Sequence, residues 1–541
     1  MNRLIYRAAA LVIFLAGSLV PTVHAQYLDL IGVSQLQALT TNLNGAGVKV
    51  AQPEADYGSP TNWQVNPNAA GQPTSLFTYH SSSGTATGFP NAVGAESGHA
   101  DTVADYFYGI TNGVNAIPGV ATNVSHVDNY EASYFYGNYI ANGSLPAIGD
   151  AIVSQSFTFG APTANSQQTI DSQYDNYSVH NKTLFVSAVN NYGNSNGYTT
   201  NVCAPGTDYN CIGVGAYKNG STYNSLGPTP DNGRCKPDIS AISDVTSDST
   251  PQVAGAAAVL MQAGFRGDGG SDTNSAVDMR TIKALLLNGA VKPAGWTNNA
   301  PSPLDYRYGA GVANVFNSYE QLAGGKNGFN DSTSVATNSP HPPTGAAGTI
   351  GVLSGWDFNT NTSSAGDDVV KHYYFNATNN PGGVTLTATL VWNRQLNQSA
   401  INNLELFLYD CASSNLVASS TSLVDNVQHL FVPRLASGRY DLQVWKAGGV
   451  PGVGIVSFAE PYALAFAFTA TALTIGFDGA NAVLAWPAYP AGFCVEATTN
   501  LAAPVWSTNN LSAATLTGST NIVPLPATNA FQFFRLRQPN F

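Results

Sequence analysis

The chain is predicted to fold as an α/β domain built on a parallel sheet, followed by all-β modules. Short apolar runs alternate with helical stretches between residues 27 and 326, which predicts parallel strands with helices on both faces of the sheet. Beyond residue 349 the apolar residues recur with period two and without helical periodicity, which predicts β-sandwich structure. A length of 541 residues also suits about three domains.

The α/β region is predicted from two kinds of segment, short strands and longer helices. The strands are short apolar runs at 48–51, 151–156, 183–188 and 212–216. The helices are longer amphipathic or small-residue stretches near 99–112, 166–180, 251–264 and 278–290. Their alternation in sequence makes one parallel sheet the simplest arrangement.

Three further segments follow the α/β region. Residues 327–348 are rich in Gly, Ser, Thr, Asn and Pro, which predicts a linker. Residues 349–470 contain alternating runs at 385–392, 404–409 and 440–445, which predict the β-sandwich. Residues 472–541 contain shorter apolar runs and predict a small all-β module, whose role we interpret as attachment, spacing or stabilisation.

The N-terminus has the pattern of a secretory signal peptide, residues 1–25. Arg3 and Arg7 precede an apolar run, and a small-residue site ends at Ala25. We therefore expect export, with a secreted or periplasmic mature protein. Because only residues 26–47 lie between the predicted cleavage site and the first predicted strand, we expect no N-terminal pro-domain.

Composition excludes several classes of partner. The formal net charge is −12, which argues against a nucleic-acid or anionic-membrane surface, since both call for a basic face. No later apolar run approaches the roughly 18 residues of a membrane span. We expect a monomer that binds neither nucleic acid nor membrane.

The chain contains five cysteines, and an exported protein is expected to oxidise them. Cys203 and Cys211 flank a Pro-Gly turn, which predicts a short-loop disulfide between them. The spacing leaves Cys235, Cys411 and Cys494 unassigned. No Cys-x-x-Cys pair, zinc spacing or twelve-residue calcium loop occurs in the sequence.

The run 246–258, TSDSTPQVAGAAA, is the most informative stretch for chemistry. Ser247 stands just ahead of a small-residue run that predicts a buried helix, and Pro251 suits its first turn. A helix N-terminus favours developing negative charge, which suits a serine nucleophile. The alternative is a serine that only caps a buried helix, which is common.

The same run resembles the nucleophile motif of the subtilisin-like serine peptidases, Gly-Thr-Ser-Met-Ala-Thr-Pro-His-Val-Ala-Gly. Three upstream segments resemble that family's acid strand, histidine motif and oxyanion strand, in the family's order: 47–54, 98–104 and 184–193. The resemblance implies that Ser247 is the nucleophile and His99 the base. It further implies that Glu54 is the acid and Asn191 an oxyanion donor.

Two segments without catalytic residues carry the resemblance further. Residues 227–239 and 308–314 are similar to the family's segments before the nucleophile and at the end of the catalytic domain, so the likeness spans roughly 45–325. It implies a subtilisin-like fold and a secreted endopeptidase that acts on proteins or peptides. Of the two regions that follow, residues 349–470 resemble a jelly-roll module and residues 472–541 a fibronectin-like module.

The resemblance also bears on substrate and cofactors. The segment Ser154, Gln155, Ser156 and Phe157 resembles the strand edge with which the family's substrates pair. We expect that the chemistry requires no metal. Subtilases often bind calcium, so the resemblance is compatible with a structural calcium ion.

The sequence departs from the family pattern at several positions. Glu54 stands where the family has aspartate, and Asp248 follows the serine in place of methionine. Val245, Ala100 and Gln252 also differ from the motif residues. Asp56 competes for the role of the acid, but Glu54 fits the register of the strand better.

Two other functions remain open from sequence. The motif drift around the catalytic positions would suit an inactive subtilase-fold binding protein. The β modules would suit an adhesin or surface-layer protein, although this reading leaves the ordered motifs unexplained. Labelling by a serine-reactive fluorophosphonate separates these readings, because only an activated serine reacts.

Overall fold

The structure is a computed structural model. It describes residues 26–160, 163–191, 201–337, 339–345, 347–380, 383–470, 473–478, 481–487, 493–508, 511–517, 520–526 and 532–537. The predicted signal peptide, residues 1–25, lies outside the described residues, as do residues 192 and 193 at the end of the predicted oxyanion segment.

The first region is built on a mainly parallel sheet, which has nine strands in the part of the chain that the structure describes. The strands of this region are β1 Lys49–Glu54, β2 Asn62–Gln64, β3 Phe77–Ser81, β4 Gly84–Ala86, β5 Ala95–Glu96, β6 His126–Glu131, β7 Ile152–Gln155, β8 Leu184–Ala188, β9 Ile212–Lys218, β10 Ser221–Thr222 and β11 Ile239–Ile242. The sheet order is β10-β9-β8-β7-β1-β6-β3-β4, and β11 pairs with β9. β2 and β5 form a separate pair.

Helices cover this sheet. They are α1 Gln26–Leu30, α2 Val33–Leu39, α3 Gly98–Tyr108, α4 Ala132–Phe135, α5 Ala164–Asn181, α6 Thr246–Arg266, α7 Thr273–Ala276, α8 Met279–Gly289 and α9 Val315–Ala323, with a 3₁₀ turn at Thr74–Leu76 and a π-helical turn at Tyr136–Ile140. The predicted strands and helices correspond to β1, β7, β8, β9, α3, α5, α6 and α8, and the ends differ by a few residues.

Helix α6 lies at the centre of the core because its residues are small. It contacts α3 and the strands β7, β8 and β9. A Cβ on Gly255 would stand 2.6 Å from the Cβ of Val120, so a larger residue could not approach this closely. The helix ends at Gly267, whose positive φ of 87° suits glycine.

The parallel strands bring the predicted site residues to one edge of the sheet. β1 ends at Glu54, β7 ends just before Ser156, and Asn191 follows β8. α6 begins just after the end of β11, and α3 packs against α6. Ligands in open α/β sheets bind at this carboxyl edge, so the topology alone gathers the candidate residues there.

The second region is a β-sandwich. Its strands are β12 Asp331–Ala336, β13 Ser354–Thr362, β14 Asp367–Asn376, β15 Val384–Trp392, β16 Leu404–Asp410, β17 Leu416–Ser420, β18 Val427–Leu435, β19 Arg439–Lys446, β20 Val450–Pro451, β21 Gly454–Ile455 and β22 Ala459–Thr469. One antiparallel sheet has the order β12-β14-β19-β16-β17 and the other β13-β22-β15-β18. Apolar residues of the two sheets, such as Phe375, Leu442 and Phe466, form the core between them.

The segment 327–348, predicted as a linker, contains a strand of this sandwich. β12 pairs antiparallel with β14 from Asp331–His372 to Ala336–Asp367. The Asn330 backbone N–H also donates to the carbonyl of His372 at 2.8 Å. The prediction of a linker is therefore wrong for this stretch, because its polar composition belongs to a half-exposed edge strand.

The sandwich packs directly on the α/β region through buried polar contacts. Asn210 and Arg394 exchange two hydrogen bonds, at 3.1 and 2.9 Å, between an amide side chain and backbone groups. Arg394 also forms an ion pair with Asp175 at 2.5 Å. Helix α8 contacts β15 and β22 of the sandwich.

The last region is a small all-β module. Its strands are β23 Thr474–Asp478, β24 Asn481–Pro487, β25 Cys494–Thr498, β26 Thr515–Thr517, β27 Thr520–Pro526 and β28 Phe533–Arg537. β23, β24, β27 and β26 form one sheet and β25 pairs with β28. Leu484, Trp486 and Val523 lie in its core. Within the described residues no helix is long and apolar enough to cross a membrane.

Candidate active site

Glu54 and His99 form the first pair of the site. His99 Nδ1 lies 2.9 Å from Glu54 Oε2, and the Glu54 side chain is fully buried at the end of β1. His99 stands in the first turn of α3, with about a quarter of its side chain exposed. With the proton on Nδ1 donated to the carboxylate, Nε2 is left with a lone pair.

Gln52 and Tyr108 hold the Glu54 carboxylate in place. Gln52 Nε2 donates to Glu54 Oε1 at 2.8 Å, and the Tyr108 hydroxyl donates to Gln52 Oε1 at 2.5 Å. Both side chains are buried. Sequence reasoning missed these two residues, although a glutamine two positions before an acid on one strand lies on the same face and could have indicated the contact.

Ser247 lies in the first turn of α6, one residue after the helix begins at Thr246. Val245 is the N-cap residue and makes no side-chain cap, so Ser247 does not cap the helix. The Ser247 hydroxyl donates to the Ser156 carbonyl at 3.4 Å, and the Ser156 hydroxyl donates to the Ser247 carbonyl at 2.8 Å. Among the described residues no hydrogen bond joins Ser247 to His99. Catalytic hydrogen bonds are often long or poorly aligned in sites without substrate.

Asn191 is fixed beside the serine by Thr246. Its Oδ1 accepts from the Thr246 backbone N–H at 2.6 Å and from the Thr246 hydroxyl at 2.7 Å. With its oxygen held by these two donors, the amide nitrogen of Asn191 makes no hydrogen bond among the residues that the structure describes. The preceding residue, Asn190, has a φ of 99° and accepts from the Asn191 backbone N–H.

Electrostatics favour the charged form of His99. Burial by itself lowers the pKa of the imidazole, but the hydrogen bond and charge of Glu54 and the charge of Asp248 outweigh it. The pKa of His99 is therefore raised above its ordinary value. A carboxylate that stabilises the imidazolium makes the neutral imidazole a stronger base.

Tyr57 covers one face of His99. The two rings stack with centroids 5.7 Å apart and planes at 27°, while 64% of Tyr57 is exposed. The backbone N–H of Tyr57 donates to the carbonyl of Asn62 at 2.9 Å, which closes the loop after β1. No pattern in the sequence indicated that the aromatic ring of Tyr57 would reach the histidine.

The competing acid lies elsewhere. Asp56 is exposed, two residues beyond the end of β1, and among the described residues no hydrogen bond or ion pair joins it to His99. Of the two candidates, the structure brings Glu54 to the histidine.

The predicted substrate edge needs correction. Ser154 and Gln155 belong to β7, which lies between β8 and β1, and both are fully buried. Gln155 is further tied to Tyr174 and Ser187 by hydrogen bonds of 2.9 and 3.1 Å. Both residues already pair with β8, at Val186 and Ser187, and their buried side chains are not accessible to a substrate. Only Ser156 and Phe157, beyond the end of the strand, remain for that role.

The structure does not show the predicted disulfide between Cys203 and Cys211. All five cysteines are free thiols. Cys203 Sγ contacts the Asn190 amide and the Asn201 carbonyl, whereas Cys211 Sγ faces Lys236 and the carbonyls of the intervening loop. The loop thus folds with its two sulfurs in different surroundings, which the Pro-Gly turn in the sequence did not indicate.

No three His, Cys, Asp or Glu side chains come together as a metal site in the described part of the chain.

A serine in the first turn of a helix and a histidine bonded to a buried carboxylate, at the carboxyl edge of a parallel sheet, are characteristic of serine hydrolases. Residues 72–311 match the family model described as the subtilase family. The match includes His99, Asn191 and Ser247 and leaves out Glu54. The segment 72–311 is thus subtilase-like and indicates a serine peptidase, with a subtilisin-like fold and β-sandwich structure on its C-terminal side.

Solved structures of similar fold include other peptidases. The CspB protease of Clostridium perfringens is 15% identical, with a TM-score of 0.40 over 55% of this chain and 99% of that one. The prenylagaramide maturation protease PagA is 18% identical, with a TM-score of 0.36 over 55% and 99%. Tripeptidyl peptidase 2 is 11% identical, with a TM-score of 0.31 over 75% of this chain and 43% of that one. No curated protein sequence matches the chain.

Proposed function

We propose that this protein is an exported, monomeric serine endopeptidase, secreted or periplasmic, that cleaves protein or peptide substrates through Ser247, His99 and Glu54. The observation that carries the proposal is the contact of a fully buried Glu54 with His99 Nδ1 at 2.9 Å. This contact leaves His99 Nε2 to act as a base at the edge where Ser247 begins α6. No metal is needed for any step.

The reaction follows from these groups. His99 Nε2 takes the proton of the Ser247 hydroxyl while Oγ forms a bond to the peptide carbonyl carbon. Glu54 keeps the imidazole in the tautomer that can do this and stabilises the imidazolium. The tetrahedral intermediate collapses with loss of the C–N bond, and His99 returns the proton to the leaving amine. Water, deprotonated by His99, then cleaves the acyl-enzyme and restores Ser247.

The oxyanion of both intermediates requires donors. The amide of Asn191 is one, since its oxygen is held by Thr246 and its nitrogen has no hydrogen-bond acceptor within the described part of the chain. The backbone N–H of Ser247 is the other, because the first N–H groups of a helix have no partner within it. The substrate would pair with the chain from Ser156 onward, displacing the weak 3.4 Å contact of the Ser247 hydroxyl.

An inactive subtilase-fold binding protein is the second candidate. The observation that favours it is the Ser247 hydroxyl, which donates to Ser156 and not to His99 within the described residues. A fluorophosphonate probe separates the two. The wild-type protein is expected to label stoichiometrically at Ser247, identified by peptide mass. A folded protein that does not label, under conditions in which a control serine peptidase does, would exclude the endopeptidase.

Asn191→Ala is expected to lower kcat by about 10²–10³ with little change in KM, because the oxyanion exists only near the transition state. The magnitude is that of the corresponding asparagine in subtilisin. Steady-state kinetics with a peptide anilide would measure it. Asn165→Ala, at an exposed position on α5, is the matched control and should retain wild-type rates. A change confined to KM would remove Asn191 from this role.

The pH profile should report His99. Since the pKa of His99 is raised, kcat/KM is expected to increase with pH through a midpoint above the ordinary histidine value of about 6.5. Asp248→Asn should move this midpoint to lower pH, because it removes a negative charge that stabilises the imidazolium. Profiles of both proteins on one uncharged substrate would test this, and a midpoint that stays or rises in the variant would contradict it.

A further inference from the structure

A cavity of about 180 Å³ lies where the three regions of the chain meet. Its walls come from the end of α8 and the residues after it, from α9, from the sandwich strands β15, β18 and β22, and from Phe493 just before β25. None of the residues that line it belongs to the proposed catalytic machinery. The reaction proposed above therefore gives this cavity no role.

Lys292 is the charged residue in the lining of this cavity. Its Nζ donates to the carbonyl of Ala310 at 2.5 Å and to that of Ala290 at 3.3 Å. The rings of Trp296 and Phe431 lie beside it, with centroids 5.0 and 5.7 Å from Nζ. In the part of the chain that the structure describes, Lys292 forms no ion pair, so its ammonium contacts only neutral groups.

The pKa of Lys292 agrees with the lack of a carboxylate beside it. Burial lowers this pKa to about 7, and no negative group among the described residues opposes the shift. His429 on β18 is a titratable neighbour, but burial and the charge of Lys292 lower its pKa well below the ordinary value, so its imidazole is neutral. An anion in the cavity would stabilise the ammonium, because a partly desolvated charge needs a direct partner.

Gln321 contributes a second donor that lacks an acceptor. This residue of α9 lines the cavity and is only 1% exposed. Its Oε1 accepts from Asn288 Nδ2 at 2.8 Å, whereas its Nε2 makes no hydrogen bond within the described residues. A buried amide N–H without a partner is uncommon and costs free energy. Since Lys292 lacks an anion and Gln321 lacks an acceptor, one carboxylate in the cavity would satisfy both.

The other walls suit an apolar group. Phe431 and Pro433 line the cavity from the sandwich, and Phe493 lines it from the last module. A cavity of about 150 Å³ is large enough for benzene. The volume of about 180 Å³ therefore has room for one ring or a short aliphatic chain next to a carboxylate, but not for a peptide of several residues.

We propose that this cavity binds a small monocarboxylate with an apolar body. The carboxylate pairs with the Lys292 ammonium and accepts from the Gln321 amide, and the body packs against Phe431 and Phe493. The bound acid contacts all three regions of the chain, so it stabilises their packing against one another. This inference is independent of the proposed peptidase function.

Benzoate is a suitable probe, and titration calorimetry on the full wild-type chain would measure its binding. We expect a Kd of about 1 mM or tighter. Benzamide has the same shape without the charge and should bind at least about tenfold more weakly, because hydrogen bonds to charged groups are the stronger ones. Inorganic phosphate has the charge without the apolar body and should also bind more weakly than benzoate. The Tm should rise with benzoate concentration, since the ligand binds the folded state.

Two variants test the two donors. Lys292→Met removes the charge, and Gln321→Glu supplies a carboxylate of nearly equal volume that keeps the acceptor for Asn288. Each is expected to raise the Kd for benzoate at least about tenfold. Lys326→Met is the matched control, because this exposed lysine pairs with Asp272 and does not line the cavity, and it should keep the wild-type Kd.

The wild-type measurements do not depend on the folding of variants and can overturn the inference by themselves. No saturable benzoate binding up to about 10 mM, ten times the expected Kd, would overturn it. Benzamide or phosphate that binds as tightly as benzoate would do the same. An unchanged Kd for benzoate in folded Lys292→Met and Gln321→Glu would show that benzoate binds at a different site.

Discussion

Ser247→Ala is expected to lower kcat by about 10⁶-fold, the magnitude that the same change causes in subtilisin. The reason is that alanine has no oxygen to form the acyl-enzyme, while His99, Glu54 and Asn191 remain without a nucleophile to assist. Residual hydrolysis would come from water activated in the same site. The measurement is cleavage of a protein substrate such as casein, together with loss of fluorophosphonate labelling.

Stability separates this effect from unfolding. The Ser247 hydroxyl makes only a 3.4 Å contact to Ser156, so the free energy of unfolding should change by less than about 1 kcal/mol. Ser249→Ala, two residues further along α6, is a matched control outside the proposed machinery. Wild-type proteolysis by rigorously purified Ser247→Ala protein would show that another residue is the nucleophile.

Glu54→Gln is expected to lower kcat by about 10⁴-fold, by analogy with the corresponding change in another serine-peptidase triad. Both carboxylate oxygens accept hydrogen bonds, Oε1 from Gln52 and Oε2 from His99 Nδ1. An amide offers one acceptor where two donors point, so either Gln52 loses its partner or His99 adopts the other tautomer. The amide also cannot stabilise the imidazolium. Single-turnover kinetics on an activated ester would measure the acylation step.

Asp56→Asn is the matched control for this carboxylate. Asp56 is exposed and lies beyond the strand, so its neutralisation should change kcat less than about threefold, the usual size of a surface-charge effect. The pH midpoint of kcat/KM in Glu54→Gln should fall, because the hydrogen bond and charge that raise the pKa of His99 are gone. If Asp56→Asn loses activity and Glu54→Gln retains it, Asp56 and not Glu54 is the acid of the triad.

Local patterns in the sequence predicted the elements that carry the site. The small-residue run after Ser247 indicated a buried helix, and α6 is that helix. The apolar run before Glu54 indicated a strand that ends at the acid, as β1 does. The ordered motifs then predicted the subtilase family, which the family model confirms for residues 72–311. These elements could be predicted because the periodicity of a helix or a strand involves only residues that are close together in the sequence.

Pairing between distant segments decided the rest. The polar composition of β12 led to the prediction of a linker. This segment is a strand because it pairs with β14. Ser154 and Gln155 look like an exposed edge in sequence, but the sheet order places them between β8 and β1. Cys203 and Cys211 are eight positions apart around a turn. The sulfur of Cys203 contacts Asn190, whereas the sulfur of Cys211 contacts Lys236.

The sequence by itself therefore determined which chemical groups the protein carries and the elements on which they stand. Only the tertiary structure decided which of them meet: Glu54 and not Asp56 at His99, Gln52 behind Glu54, and Thr246 on the Asn191 oxygen. The physical reason is that hydrogen bonds and ion pairs act over a few ångströms between residues far apart in sequence, and local periodicity contains no information about those contacts.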